Sequence, residues 1–298
     1  MKNIKELPAN EATAIVCRLG GNNSIVQCRI LTFCILFLMT VIPCIAQEVE
    51  LGQKEQDSYR AFGAGAHLKN MHLWHGFVVH PGAIIATNLE FNSRNRKFTF
   101  GVWGGASFTS IDVINKETGE NVSAHYKEFS IYTVYRFSDN FFVEAVTHNN
   151  YTGVEERGDV LHYWSYDKTQ GYNFVDINFG YNITPKTLLY LATIVGGGSG
   201  DYEVQEDGSL KDSWTHYFEI KSMVWEKEDS SFSLFAGGAW SFITDKTFYT
   251  EGMGNVINIG ATYSKKIKFG NYTAPVELTA MWNPEKEKTV LQLDFTIL

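Results

Sequence analysis

Apolar and polar residues alternate with a period of two along most of the chain after residue 60. The segment 98–108 shows the pattern clearly. Its even positions are Phe98, Phe100, Val102, Gly104, Ala106 and Phe108, and its odd positions are Thr99, Gly101, Trp103, Gly105 and Ser107. Successive side chains of a strand point to opposite faces, so this segment predicts a strand with one apolar face. The same alternation recurs over 128–137, 175–183, 232–242, 257–263 and 290–297.

The alternation predicts twelve strands, most of them about 10–13 residues long. They are 61–78, 83–92, 97–109, 125–136, 140–151, 171–183, 187–197, 214–225, 231–242, 255–264, 271–282 and 288–297. Strands of soluble proteins average about 5–6 residues, whereas a strand that crosses a membrane needs about 9–11. The strand lengths therefore favour a membrane-spanning sheet.

The connections alternate in length. Those after the even-numbered strands are short, namely 93–96, 137–140, 184–186, 226–230 and 265–270. Most of the others are long (110–124, 152–170, 198–213 and 243–254), with 79–82 and 283–287 as short exceptions. Short turns at one end and longer loops at the other are typical of outer-membrane barrels. The predicted fold is therefore all-β, a transmembrane antiparallel up-and-down β-barrel of about twelve strands over 61–298.

The first 46 residues have the pattern of a secretory leader. Arg29 is followed by the apolar run 30–42, and Cys44 and Ala46 are small residues at −3 and −1 of a cleavage after Ala46. This predicts a signal peptide over 1–46, and the run is short for a transmembrane helix. Cys44 can also be read as a lipoprotein cysteine, which the preceding Pro43 fits poorly. Polar residues 47–60 then predict a periplasmic tail.

Composition narrows the possible functions. The formal charge is −8, which gives no support for nucleic-acid binding. All four cysteines lie within the first 44 residues, so the predicted mature chain has neither a disulfide framework nor a cysteine metal site. No cofactor is implied. An aromatic content of 14% suits a barrel with one apolar and one wet face.

Three pieces of the first third of the predicted mature chain carry a family resemblance. They are Leu73–Val78, Phe100–Gly105 and Tyr132–Phe137. With them, the segment 65–153 resembles the TorF-type porin family of Gram-negative outer membranes. The resemblance implies an outer-membrane, porin-like barrel, with membrane lipids and the barrel-assembly machinery as partners, and it implies no particular solute. One departure is the C-terminus, where many barrels end in an aromatic residue and this chain ends in Leu298.

If the apolar face meets lipid, the other face lines the lumen. The acidic residues on that face are Glu90, Glu128, Glu144, Asp176, Glu219, Glu277 and Asp294, and the basic residues are Lys69, Arg136 and Lys221. An acidic wall attracts cations. We therefore expect a porin-like channel for passive diffusion of small hydrophilic solutes, with weak cation preference. The alternative is a non-conducting structural or adhesive barrel that acts through loops 110–124, 152–170 and 198–213.

Glycines and aromatic residues on the inner face bear on whether the lumen is open. The inward glycines are Gly101, Gly105, Gly180, Gly237 and Gly260, and they either leave room for a channel or mark bends in a tightly curved sheet. The inward aromatic residues are Trp103, Tyr132, Trp225 and Phe235, which are too scattered to predict a sugar path.

The sequence gives little support for a catalytic site or a metal site. His67, His72, His75 and His80 cluster, but alternation sends 67 and 75 to one face and 72 and 80 to the other, so separate polar side chains are favoured over a metal site. Barrel lipases place a serine two residues after a strand histidine, and none of the eight histidines has one. Acid pairs such as Glu155–Glu156 fall in loops. The chain is thus predicted not to be an enzyme, and a barrel hydrolase is the weakest alternative.

Overall fold

The computed structural model describes residues 59–114, 120–152, 164–168, 173–197, 200–270 and 272–298. The predicted signal peptide 1–46 and all but the end of the predicted tail 47–60 lie outside these ranges. Among the described residues, no helix is long and apolar enough to cross a membrane.

Twelve of the strands in the described ranges form one closed antiparallel barrel, which confirms the predicted fold class. The strands are β1 (Phe62–Lys69), β2 (His72–Trp74), β3 (Phe77–His80), β4 (Ile84–Asn92), β5 (Phe98–Ile114), β6 (Asn121–Arg136), β7 (Phe141–His148), β8 (Phe174–Thr184), β9 (Thr187–Gly197), β10 (Tyr202–Val204), β11 (Leu210–Asp212), β12 (His216–Lys227), β13 (Ser230–Trp240), β14 (Asn255–Phe269), β15 (Tyr272–Asn283) and β16 (Lys288–Thr296). Two hairpins, β2–β3 and β10–β11, stand outside the barrel wall.

The barrel closes between its first and last strands. Lys69 of β1 lies opposite Asp294 of β16, and His67 lies opposite Thr296. Asn70 extends this seam, because its backbone N–H donates to the Leu293 carbonyl at 3.1 Å and its Oδ1 accepts from the Leu293 N–H at 2.8 Å. Closure pairs the backbone groups that an open sheet edge would leave without partners in lipid.

The connections confirm one end of the barrel as the short-turn end. There the strands are joined by 93–97, 137–140, 185–186 and 228–229, and β14 ends at Phe269 just before β15 starts at Tyr272. Three of these turns contain a residue with a left-handed backbone, at Arg96 (φ 58°), Glu228 (φ 45°) and Gly270 (φ 60°). Both termini of the barrel wall lie at this end, because β1 starts opposite Phe91 near the end of β4.

The predicted first strand, 61–78, is wrong. β1 ends at Lys69, and residues 72–80 turn back on themselves as the β2–β3 hairpin. Trp74 pairs with Phe77 across a two-residue turn. Both turn residues have positive φ, 45° at His75 and 83° at Gly76, as a type I′ turn requires. The predicted short loop 79–82 is therefore the exit of this hairpin.

Two predicted loops also contain regular structure. The loop predicted at 110–124 is largely strand, because β5 continues to Ile114 and β6 starts at Asn121, with Ser110 opposite His125. The loop predicted at 198–213 contains the β10–β11 hairpin. Polar and β-branched residues continue these strands beyond the apolar stretch, so apolar alternation alone missed them.

The outer face of the barrel is apolar. A central row of paired residues crosses four strands through Leu234, Ala261, Ala280 and Leu291. Exposed aromatic rings lie near the short-turn end, at Phe98, Tyr135, Phe137, Tyr181, Phe269 and Tyr272. An apolar band with an aromatic girdle is typical of barrels in outer membranes.

An arginine substitution on the apolar band tests whether the band lies in the hydrocarbon region of a membrane. Leu234 is 47% exposed at the middle of β13, and we expect Leu234→Arg to lower the free energy of unfolding by about 2–4 kcal/mol in lipid vesicles. Ile114→Arg is the matched control, because Ile114 is 61% exposed at the loop end of β5 and should cost less than about 1 kcal/mol. Urea unfolding in vesicles measures both, and equal small losses would contradict burial of the band in lipid.

Candidate lumen site

The β2–β3 hairpin folds into the lumen and contacts opposite walls with its side chains. On one side the His72 ring stacks on Trp103 of β5, with centroids 5.4 Å apart. On the other side the His75 ring stacks on Tyr217 of β12, with centroids 4.0 Å apart. Because β5 and β12 are separated by several strands in both directions around the barrel, the hairpin crosses the lumen.

Backbone atoms of the hairpin are also held by the wall. Asn283 of β15 donates its Nδ2 to the Gly76 carbonyl at 3.0 Å, and Gln292 of β16 donates its Nε2 to the Met71 carbonyl at 2.8 Å. The turn approaches β14 so closely that a Cβ on Gly76 would lie 2.5 Å from the Ile257 carbonyl oxygen. Glycine is therefore required here by space as well as by its positive φ.

Trp74 is the centre of an aromatic cluster at the loop end of the lumen. Its ring lies 5.1 Å from His148, 5.6 Å from Phe174, 6.1 Å from Phe248 and 5.6 Å from Tyr249, between centroids. These rings come from β7, from β8 and from the loop 241–254. The cluster therefore joins the hairpin to the wall and to an inward-folded loop.

Hydrogen bonds hold that loop in position. The Phe248 N–H donates to Oγ1 of Thr215 at 2.8 Å, and the Thr215 hydroxyl in turn donates to the buried carboxylate of Asp201. Burial raises the pKa of Asp201, and the Thr215 hydrogen bonds oppose that rise in part. The Tyr249 hydroxyl reaches Nδ1 of His75 at 2.9 Å. The segment before β12 and the loop after β13 thereby position the Phe248 and Tyr249 rings, which contact the hairpin.

An acidic network lines the wall below the aromatic cluster. Glu128 on β6 accepts hydrogen bonds from the Tyr126 hydroxyl at 2.7 Å and the Ser130 hydroxyl at 3.0 Å. Its Oε1 is 3.6 Å from Nδ1 of His148, whose Nε2 is 3.2 Å from Oδ2 of Asp176. The imidazole of His148 thus lies between two carboxylates from its neighbouring strands, and Asp176 is only 1% exposed.

The network continues onto β9. Nδ2 of Asn178 donates to Oε2 of Glu144 at 3.1 Å and to Oδ1 of Asp176 at 3.3 Å. The Tyr190 hydroxyl lies 3.5 Å from the same Glu144 oxygen. Four adjacent strands therefore share one polar network inside the barrel.

A cavity of about 590 Å³ lies between this wall and the hairpin. Its lining residues are Lys69, His72, Trp74, Phe77, Val79, Asn88, Glu90, Trp103, Glu128, Ser130, Tyr132, Glu144, Val146, His148, Asn150, Phe174 and Phe248. Glu90 accepts a hydrogen bond from the Tyr132 hydroxyl at 2.6 Å. The volume falls in the range of about 300–1,000 Å³ that is usual for small-molecule sites.

The residues predicted to line the lumen fall into three groups. Glu90, Glu128 and Glu144 line the cavity with Lys69, and Asp176 is buried beside it. A second polar group includes Glu219, which accepts hydrogen bonds from the Tyr217 hydroxyl at 2.6 Å and from Nδ2 of Asn258 at 2.9 Å.

The third group consists of paired or exposed residues. Asp294 forms an ion pair with Nζ of Lys69 at 2.8 Å and contacts His67 at 3.0 Å. Arg136, Lys221 and Glu277 are exposed, and none of them is among the residues that line the cavity. Arg136 donates to Oγ1 of Thr99 at 3.0 Å, and Glu277 accepts from the Ser264 hydroxyl at 2.9 Å.

Aromatic rings cover several of the inward glycines. A Cβ added to Gly101 would lie 2.2 Å from the Tyr132 ring, and one added to Gly180 would lie 2.0 Å from the Phe142 ring. Phe235 covers Gly260 in the same way, at 2.3 Å. The room that these glycines leave is therefore filled by rings from adjacent strands. Trp225, predicted on the inner face, is 46% exposed, because a bulge between Met223 and Trp225 shifts its parity.

A side chain at Gly101 would displace the Tyr132 ring. We expect Gly101→Ala to lower the free energy of unfolding by about 1–3 kcal/mol, because the ring must leave the wall and release Glu90. Gly196→Ala is the control, since a Cβ there meets nothing within 4 Å. Urea unfolding followed by tryptophan fluorescence compares them, and equal stabilities would show that the ring moves without cost.

The histidine cluster does not assemble as a site. His67 lies on the wall beside Asp294, whereas His72 and His75 lie on the lumen hairpin. Within the ranges that the structure describes, no group of three or more His, Cys, Asp or Glu residues could hold a metal ion. The histidine that joins the acidic network, His148, lies outside the cluster and was not singled out by the sequence.

Comparisons with known proteins give structural similarities only. No protein-family model and no curated protein matches the chain. A FadL homologue from Pseudomonas aeruginosa has 9% identity and a TM-score of 0.35, with 79% of this chain and 74% of that chain covered. The Ralstonia pickettii toluene transporter TbuX has 9% identity and a TM-score of 0.34, with 79% and 87% covered. LpxR from Salmonella typhimurium has 7% identity and a TM-score of 0.35, with 78% and 98% covered.

Proposed function

We propose that the chain is an outer-membrane transport barrel whose lumen is closed by the β2–β3 hairpin and passes a small solute when the hairpin moves. The cavity of about 590 Å³ below the hairpin carries this proposal. A lumen that served only to stabilise the wall would be packed to the density of a protein interior. Here the space is retained, and polar as well as aromatic side chains face it.

The outer surface supports the location. An apolar band, an aromatic girdle and short turns at the end that holds both termini are the features of outer-membrane barrels in Gram-negative bacteria. Outer-membrane lipids and the barrel-assembly machinery are the partners that such a location requires. The resemblance to the TorF-type porins agrees with this proposal and stays a prediction of the sequence.

The charge of the cavity supports a preference for cations. Three carboxylates line it, at Glu90, Glu128 and Glu144, against the ammonium of Lys69 and the imidazole of His148, which lies between Glu128 and the buried Asp176. That ammonium pairs with Asp294. A negative wall in a narrow, low-dielectric passage raises the local concentration of cations and repels anions.

Planar-bilayer recording of the mature chain, residues 47–298, tests the proposal. We expect a closed baseline with brief openings, and a cation-biased reversal potential under a salt gradient. A steady ohmic current from the unmodified barrel would instead support a passive porin. An anion-biased reversal potential would contradict the proposed role of the acidic wall.

The non-conducting alternative rests on a specific observation. The hairpin is bonded to several strands, and His148 ties β6, β7 and β8 together inside the lumen. Such contacts also suit a barrel that only displays its loops. A baseline that remains silent at every voltage, together with no solute uptake into vesicles, would favour this alternative.

A further inference from the structure

The lumen cavity is polarised along the barrel axis. Its aromatic side is next to the hairpin, where Trp74, Phe174 and Phe248 meet at the loop end. Its acidic side extends toward the short-turn end, because Glu90 lies two residues before the end of β4 and Glu144 lies at the middle of β7. One space thus has an apolar end and a negative end.

The two carboxylates on the acidic side have no cationic partner among the residues that the structure describes. Glu90 accepts from the Tyr132 hydroxyl, and Glu144 accepts from Asn178 and Tyr190. Glu128 differs, because His148 lies beside it. Carboxylates held by neutral donors inside a barrel remain available to a positively charged group that enters the cavity.

Aromatic faces around the same space add a second kind of attraction. Trp103 lines the cavity at mid-height, and its ring covers Gly105, where a Cβ would lie 2.7 Å from it. Trp74 and Phe174 line the end near the hairpin. A cation within about 6 Å of such a ring is stabilised by its quadrupole, most strongly where water is excluded.

We propose that this cavity binds a small organic cation with an apolar body, such as a quaternary or primary ammonium that carries an aromatic or aliphatic group. The ammonium lies between Glu90 and Glu144, and the apolar body packs against Trp103 and the aromatic rings beneath the hairpin. A neutral hydrocarbon would leave the carboxylates without a partner, and an anion would be repelled by them. This inference rests on the proposed transport function and names its substrate class.

Calorimetric titration of the refolded mature barrel tests the inference with three probes of similar size. They are phenyltrimethylammonium, neutral benzyl alcohol and anionic benzenesulfonate. We expect the cation to bind at least about tenfold more tightly than either of the others. Equal or tighter binding of the alcohol or the sulfonate would overturn the inference.

Charge-neutral variants locate the site. We expect Glu90→Gln and Glu144→Gln each to weaken cation binding at least about fivefold, because each retains its shape and loses its charge. Glu277→Gln is the matched control, since Glu277 is exposed at the middle of β15 and does not line the cavity. Equal affinities in all three variants would place the cation elsewhere and overturn the inference. Heat-modifiable gel migration confirms that each variant is a folded barrel.

Uptake of a neutral sugar such as arabinose into vesicles separates this inference from the proposed function. Sugar uptake that depends on the hairpin, without preferential cation binding, would support the proposed transport function and contradict the cation site. Cation binding with no uptake of any solute would support the cation site and contradict the proposed transport function.

Discussion

Replacing residues 71–82 with a short Gly-Asn-Gly turn should convert the closed barrel into a steadily conducting one. The variant retains Asn70, whose backbone N–H and Oδ1 extend the β1–β16 seam, and it removes every residue of the β2–β3 hairpin. Lys69 and Ile84 already pair directly, so a short turn can join β1 to β4. Without the hairpin, the rings and backbone contacts that cross the lumen are lost, while the wall retains its twelve strands.

Single-channel recording in planar bilayers measures this effect. We expect the mean current at fixed voltage to rise at least about tenfold over the unmodified barrel, because a twelve-stranded wall is wider than the eight-stranded barrels that side chains fill. Replacing residues 202–212, the β10–β11 hairpin, with the same turn is the control, because that hairpin is not among the residues that line the cavity. Unchanged current after removal of the β2–β3 hairpin would show that another part of the lumen closes it.

Removing the imidazole of His148 should cause a large loss of stability. His148→Leu leaves the carboxylates of Glu128 and Asp176 close together and without the group between them. Breaking one partner out of a buried ionic set costs about 3–5 kcal/mol. Urea unfolding in detergent or lipid vesicles, followed by tryptophan fluorescence, measures this loss.

Two further variants identify the cause. His216→Leu removes a histidine of β12 whose one side-chain hydrogen bond to a residue that the structure describes is to Oγ1 of Thr193, at 2.8 Å. Its ring lies 5.4 Å from that of Trp240, so we expect a loss of about 1 kcal/mol. Adding Glu128→Gln and Asp176→Asn to His148→Leu should recover much of the stability, because it removes the uncompensated charges. A loss for His148→Leu no larger than that for His216→Leu would contradict an ionic role for this network.

The wall of the barrel was predictable because each part of it obeys a local rule. Alternation in 98–108 assigned Phe98 and Phe100 to the outer face and Gly101 to the inner face, as the structure has them. The alternation also gave the number of strands, and the connection lengths together with that even number gave the end at which the termini lie. These signals depend on nearest neighbours along the chain, so they required no knowledge of the tertiary contacts.

The hairpin was missed because its alternation continues that of β1. Residues 61–78 read as one long strand, although the pair His75–Gly76 is a turn signal of the kind that type I′ hairpins use. What folds the hairpin inward is a set of contacts distant in sequence, such as His75 on Tyr217 and Gly76 against Ile257. The sequence pattern within 72–80 does not indicate which distant residues the hairpin contacts.

The acidic network was only partly predictable for a similar reason. Inner-face parity brought Glu128 and Asp176 onto the same side of the sheet, but the register that places His148 between them depends on how β6, β7 and β8 pair. A β-bulge also changes the face of the sheet to which the following side chains point, as at Trp225. The rings of Tyr132 and Phe142 pack over inward glycines, and this packing likewise depends on which residues lie opposite each other on adjacent strands.

Solute uptake with the hairpin tethered tests the central claim most directly. In the variant His75→Cys with Tyr217→Cys, a short bis-thiosulfonate reagent can join the positions whose native rings stack at 4.0 Å, and the predicted mature chain has no other cysteine. Vesicles that contain this barrel are loaded with an osmolyte, and uptake of a small solute is followed before and after reduction of the tether. We predict no uptake while the tether is intact and uptake once it is reduced. Equal uptake in both states would contradict a hairpin that has to move for a solute to pass.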